Sequence, residues 1–203
     1  MSHYSKVSVC NISLSMLGAD SIRDFDESNK RARLADVLYE SSKDYLLYKF
    51  DWPFARAYKN LQELDLSTED TPPGFKAYQL PSNCVVARDI FPLGSKDQWE
   101  VMGERVFTID TATSMGLYYT RDGVDPSKFS DTFAQLLAIF MAVKLSPPIT
   151  QDAKMTAELH RQFTIQIRED WEADANVGNT YREFNEDPNN DSFVYPPGVD
   201  GST

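Results

Sequence analysis

Cysteine is scarce: Cys10 and Cys84 are the only two in 203 residues. They form no CxxC pair and no metal-ligand spacing, which excludes a disulfide scaffold and a zinc-ribbon site. Basic charge is also short, with 20 Lys and Arg against 31 Asp and Glu, a net charge of −11. A surface of that sign repels phosphate, so wrapping DNA on a basic face is excluded for the chain as a whole. Letting DNA slide past without adhesion is compatible with it. No apolar run approaches the roughly 20 residues that span a bilayer, so no membrane partner is expected. The stretch MSHYSKVSVC has no basic-then-apolar signal pattern, and a cytoplasmic chain with free thiols is expected. Neither GxxxxGK[ST] nor GxGxxG occurs, so no nucleotide cofactor is expected.

Histidine is equally thin. His3 lies near the start, and His160 follows Glu158 by two positions. A catalytic histidine needs a nucleophile and an orienting acid in space, which this pattern does not supply. Paired carboxylates are plentiful at Glu69-Asp70, Glu169-Asp170 and Glu186-Asp187. A metal-dependent hydrolase would use such groups, but these pairs sit at turns and helix ends, where solvated charge is the ordinary reading. The expectation is therefore no catalytic residue, no metal and no cofactor.

Hydrophobic residues make up 41% of the chain, enough for the core of one domain with a smaller one inserted. Val7, Cys10, Leu14 and Leu17 give a helical stripe over residues 5–17, and Gly18 suits the position after it. Residues 28–50 read as a long helix capped by Asp26 or Ser28, with Leu34, Val37, Leu38, Ser41, Tyr45 and Tyr48 on one face. Residues 55–120 change to short β-type runs at 57–64, 76–80, 84–91, 98–102, 105–110 and 115–120. MGER at 102–105 reads as a hairpin turn.

Helix returns at 126–145, with one stripe of Phe129, Phe133, Leu136, Leu137, Phe140 and Lys144. A second stripe of Ala134, Ala138, Met141, Ala142 and Leu145 would let another helix approach closely. SPPIT at 146–150 is expected to break that helix, with Thr150 capping the next one over 151–175. There Met155, Leu159, Phe163, Ile167 and Trp171 step by four. From Asn176 the pattern collapses into Asn, Asp, Pro and Gly.

The expected fold is α+β: a four-helix bundle with a small β-domain inserted between its second and third helices, and an extended C-terminal tail. Residues 1–54 and 126–176 form the bundle, 55–125 the insert, and 177–203 an extended or disordered arm. KFDWPFARAY at 49–58 is then the seam, with Phe50, Trp52, Phe54 and Tyr58 as the residues that clamp bundle to insert. Tyr181, Phe184, Phe193 and Tyr195 stand out as aromatic anchors for a partner in the polar arm. Lys30, Arg31 and Arg33 place cations at a helix start, against its dipole, which would suit a carboxylate partner, although a solvated face with local pairs is the plainer reading. With Tyr45 they are candidate subunit contacts. Tyr118-Tyr119 beside Arg121 could stack bases, although packing at a strand end is the plainer reading.

These pieces come in an order. RARLADVLYESSKDYLL (31–47) is followed by Trp52-Pro53-Phe54-Ala55, then by Tyr78-Gln79-Leu80-Pro81. Trp99-Glu100-Val101 and Arg105-Val106-Phe107-Thr108 come next, then Leu117-Tyr118-Tyr119, and last Phe129 to Leu145 with Phe133, Leu136-Leu137-Ala138. As a set, over about residues 5–176, this resembles the tail tubular protein A and head-to-tail adaptor family of short-tailed bacteriophages. The resemblance implies a structural virion protein and no enzyme. It would be a ring of twelve copies that docks beneath the portal protein, continues the DNA channel and carries the tail nozzle protein, of the tail tubular protein B type. Double-stranded DNA would pass through without sequence recognition, and the protein would be assembled in the host bacterial cytoplasm before joining the virion. A regulatory module that binds a partner through the aromatic C-terminal tail is the alternative reading.

Overall fold

The computed structural model describes residues 4–65, 71–91, 99–109 and 115–183, and side chains as far as Arg168. The chain divides into two compact units, Met1–Phe163 and Thr164–Thr203. Among the described residues the fold is α+β, with four α-helices and two antiparallel sheets. In chain order these are α1 (Lys6–Met16), α2 (Lys30–Lys49), β1 (Arg56–Leu61), β2 (Glu63–Leu64), β3 (Lys76–Gln79), β4 (Cys84–Phe91), β5 (Trp99–Met102), β6 (Arg105–Thr108), β7 (Met115–Arg121), α3 (Asp131–Ile149) and α4 (Ala153–Glu183).

Each helix starts where its side chains can satisfy the free backbone donors. Ser5 and Ser8 form a reciprocal capping box on α1. Asn29, rather than Asp26 or Ser28, caps α2 by accepting from the Ala32 amide at 2.7 Å. Ser130 caps α3 through the Phe133 amide. Asp152 caps α4 through the Lys154 and Met155 amides at 2.8 and 3.2 Å.

Two expectations for the helices are corrected here. The inward face of α2 is Ala32, Ala35, Tyr39, Ser42, Lys43, Leu46 and Leu47, not the bulky stripe through Val37, Tyr45 and Tyr48. Two helical stripes overlap in this sequence. The one with small residues wins because Ala32, Ala35 and Ser42 let α2 approach α3 closely. The prolines also do not end α3. Pro147 and Pro148 lie inside it, and Thr150 is its C-cap rather than the cap of α4. Proline's fixed φ is already helical, so the backbone path continues through both, and each costs one intrahelical amide donor. The reversal into α4 comes at Gln151, whose φ of 55° is the single positive value outside glycine among the described residues.

α3 is the hydrophobic centre of the helical layer. Phe133, Ala134, Leu136, Leu137, Ala138, Met141, Ala142 and Leu145 are all fully buried. α1 and α2 both pack on it. The small-residue stripe is used up inside one chain and leaves no surplus face. From α4, Leu159 and Phe163 are buried, and Phe163 stacks on Phe140 at 4.8 Å. α4 itself continues to Glu183, beyond the expected start of the arm at 177. No proline interrupts the chain between Pro148 and Pro188, and Gly178 alone is a modest penalty in a helix.

The strands form two sheets in the orders β1-β7-β4 and β2-β3-β6-β5. β1 and β2 are separated by Gln62 alone, so the chain passes directly from one sheet to the other. Alternation along β7 sends Met115, Leu117 and Tyr119 inward. They meet Leu61 and Ile90 of their own sheet and Tyr78 and Val106 of the other, forming one core. The β5–β6 hairpin pairs Met102 with Arg105 across Gly103-Glu104. Gly103 has φ 60° at the first loop position, as a type II′ turn requires.

Candidate functional site

The stretch after α2 is where helices meet strands. Pro53 sets a short 3-10 turn, Pro53–Ala55, that redirects the chain from α2 into β1. Trp52 is buried there. Its ring meets Phe133 edge-on at 5.0 Å and Phe50 at 5.8 Å, and its indole N–H donates to the Leu46 carbonyl at 3.0 Å. Phe54 packs on Phe133 at 4.9 Å and on Phe129 at 5.4 Å. Phe50, Trp52 and Phe54 are thus gathered around the start of α3.

Tyr58 is not part of that cluster. It lies exposed on the outer face of the first sheet, against Tyr118 at 5.1 Å and Phe91 at 6.4 Å. Its ring covers Gly116, where a Cβ would collide with it. Sheet alternation separates the neighbours Tyr118 and Tyr119: the first joins this outer cluster and the second the core.

A second tie was not foreseen. β4 carries an irregularity between Ala87 and Asp89, and Arg88 is the extra residue. Its guanidinium donates to Thr120 Oγ1 at 2.9 Å and to the carbonyls of Leu47, Tyr48 and Phe50 at 3.0, 3.2 and 2.7 Å. These are the last carbonyls of α2, which have no partner within the helix. Burial pulls the Arg88 pKa below its ordinary value. The carbonyls compensate, since a helix C-terminus favours a cation. The only sequence signal was an Arg-Asp pair inside an otherwise apolar strand, CVVARDIF.

Lys43 makes a third tie. It is buried, and its Nζ lies 2.8 Å from Glu40, 2.9 Å from Asp122 and 3.5 Å from Asp44. Asp122 follows β7, so this pair joins α2 to the strand layer. Burial lowers the Lys43 pKa, but the hydrogen bond to Glu40 and the ion pair with Asp122 outweigh it and leave it raised. The adjacent Lys43 ammonium holds the Asp122 carboxyl below its usual 3.8, against a smaller effect of burial. A raised lysine contributes stability below pH 10.5 that is lost as pH climbs through the folded value. A depressed carboxyl contributes above pH 3.8 and is lost as pH falls through the folded value. Asp122→Asn is therefore expected to lose less melting temperature than the wild type between about pH 6 and about pH 2. Parallel acid limbs in calorimetry would show that the pair contributes nothing.

Two of the three charged candidates at the start of α2 have partners within the chain. Lys30 Nζ donates to the Pro148 carbonyl at 2.7 Å, and Arg31 pairs with Asp20 at 3.2 Å. Arg33 is exposed, with no ion pair among the described residues. Tyr45 stacks on Phe140 at 4.9 Å yet stays exposed. Val37 and Tyr48, on the same outward face, are 71% and 63% exposed. Tyr181 lies within α4, in the part whose side chains are not described, and Phe184, Phe193 and Tyr195 lie outside the described residues.

Glu158, beside His160, is bound by Arg161 at 2.6 Å, and that hydrogen bond drives its pKa down to about 2. Glu69-Asp70 and Glu186-Asp187 fall outside the described residues, as do the side chains of Glu169-Asp170. Among the described residues no three His, Cys, Asp or Glu side chains gather as a metal site would need. No protein-family model matches the chain, and no curated protein matches it.

Proposed function

We propose that this protein is a structural virion component, a head-to-tail adaptor. Copies of it form a ring beneath the portal, continue the DNA channel and seat the tail nozzle protein. The observation that carries this reading is the outward face of α2. Val37, Tyr45 and Tyr48 are left exposed on one helix of a folded chain, and large apolar groups grouped this way mark an interaction surface. That helix holds RARLADVLYESSKDYLL, the first element of the family resemblance.

Two further features support the reading. The strands among the described residues all fall between α2 and α3, and Trp52-Pro53-Phe54-Ala55 is the turn that leads into them. This arrangement suits a helical bundle, residues 1–54 and 126–176, with a β-domain inserted at 55–125 and an arm beyond it. The acid excess suits a wall past which duplex DNA moves with little adhesion. In this role the protein works by shape and contact. Its partners are the portal, the nozzle protein, its own copies and passing DNA, and its place is the head–tail junction.

The test is assembly. Purified chain is mixed with portal rings from the same genome and imaged by negative-stain electron microscopy. A second ring stacked coaxially on the portal is the expected result. Competent portal rings that stay bare across salt and pH would overturn the proposal.

A further inference from the structure

α3 and α4 are completed separately on either side of one residue. Thr150 closes α3, and its amide and hydroxyl both donate to the Ser146 carbonyl, at 2.8 and 2.9 Å. Lys30 donates to the Pro148 carbonyl at 2.7 Å, which ties that end to the start of α2. Asp152 opens α4 by accepting from the Lys154 and Met155 amides. Gln151 lies between the two ends, exposed, at φ 55°. That conformation crowds Cβ against the following carbonyl, so a residue with a side chain pays strain to hold it. A short connection under strain is the kind that invites exchange of an element between copies.

The hold of α3 on α4 is light. Over residues 153–163 only Leu159 and Phe163 are buried. Phe163 stacks on Phe140 at 4.8 Å, and Thr156 Oγ1 lies within hydrogen-bond distance of Ser146 Oγ, at 2.8 Å. Across the joint itself the Asp152 amide donates to Thr150 Oγ1 at 3.2 Å. Opening at Gln151 therefore leaves both helix ends with their own caps. It uncovers two large apolar side chains, which need a seat of the same shape elsewhere.

We infer that neighbouring copies exchange α4. Gln151 opens, and residues 153–163 of one chain take on the next chain's α3 the seat they hold here on their own. The two surfaces fit because they are the ones already packed together, Phe163 on Phe140 and Thr156 at Ser146. Exchange keeps those contacts and releases Gln151 from its strained φ. What opposes it is the cost of bringing two chains together, and that cost falls as their local concentration rises. Passed from copy to copy, the element links chains head-to-tail, and such a series closes into a ring or extends as a filament. The exchange stands by itself and rests on the adaptor reading for the closed ring alone.

The test uses two full-length chains, co-expressed, each carrying Cys84→Ser so that only the buried Cys10 remains. One carries Ser146→Cys and the other Thr156→Cys, and the purified mixture is oxidised with diamide, with and without portal rings. Ser146 is fully buried, so a disulfide formed there reports packing and not collision. A disulfide-linked dimer of the two different chains is the expected result, more abundant on the portal. Gln151→Gly in both chains should cut its yield about tenfold, because glycine holds a positive φ without strain and favours the closed hairpin. Gln151→Val should raise the yield, since a β-branched residue tolerates that φ least. Light scattering on chains with the Gln151 substitutions alone should move the same way, with fewer oligomers for glycine and more for valine. A single chain carrying both Ser146→Cys and Thr156→Cys shows that the disulfide can form. If it closes within itself while the mixed pair stays unlinked, or if the yield is indifferent to Gln151, the exchange is overturned. A ring on the portal without the link between chains also overturns the exchange but leaves the adaptor reading standing. The link with no ring on the portal upholds the exchange and removes the adaptor reading.

Discussion

Trp52→Ala is expected to lower the free energy of unfolding by about 3–5 kcal/mol, measured by urea denaturation. The side chain is buried between Phe50, Phe54 and Phe133, so truncation leaves a cavity walled by rings that cannot all collapse into it. Trp52→Phe separates packing from hydrogen bonding. It keeps most of the ring contact and removes the indole donor to the Leu46 carbonyl. That carbonyl still accepts from the Phe50 amide at 3.2 Å, so the loss should be about 1 kcal/mol. If Trp52→Ala unfolded like the wild type yet failed to assemble, the residue would belong to an interface and not to the seam.

Arg88→Ala is expected to cost about 3 kcal/mol, because charged hydrogen bonds to α2's last carbonyls and to Thr120 disappear together. Arg88→Lys should recover less than half of that. An ammonium is a single compact donor and cannot reproduce a planar fork that reaches Thr120 with one nitrogen and Leu47 and Phe50 with another. Hydrogen exchange gives an independent readout. Amides near the end of α2 should exchange faster in Arg88→Ala while those of α1 keep their protection. Unchanged stability together with unchanged exchange would show that water replaces the guanidinium at no cost.

Much of this fold was legible in the residues. Strands expected at 84–91 and 115–120 stand at Cys84–Phe91 and Met115–Arg121, because period-two patterning and Gly or Pro punctuation are local signals. The MGER turn was legible for the same reason, since Gly103 alone at that site takes a positive φ without strain. Orientation about the α2 axis was not legible. Both stripes on that helix have helical spacing, and only contact with α3 decides that Ala32, Ala35 and Ser42 face inward.

Phe50, Trp52 and Phe54 come into ring contact, whereas Tyr58 sits two positions into a strand and lies on its outer face, which density of aromatics along the chain does not reveal. The ties made by Arg88 and Lys43 could not be found by spacing. The partners that tie them to other elements lie far along the chain, and a charged residue in a strand or helix ordinarily reads as solvated. The exposed α2 face was visible only once exposure was known, because an apolar residue announces hydrophobicity and not which side of it is covered.

The fastening of α2 also orders events during synthesis. Its first turn is held by the Pro148 carbonyl, 118 positions downstream of Lys30, and its last carbonyls by Arg88, 41 positions beyond Leu47 and 38 beyond Phe50. A nascent chain that has just finished α2 has neither fastener. The C-terminal end can be secured once β4 has left the ribosome, and the N-terminal end only after residue 148 has emerged. Until then the face that will lie on α3 is open to solvent and to chaperones. α2 is translated early and completed late, so the helix that carries the exposed Val37, Tyr45 and Tyr48 reaches its final state only when nearly the whole first unit has been made.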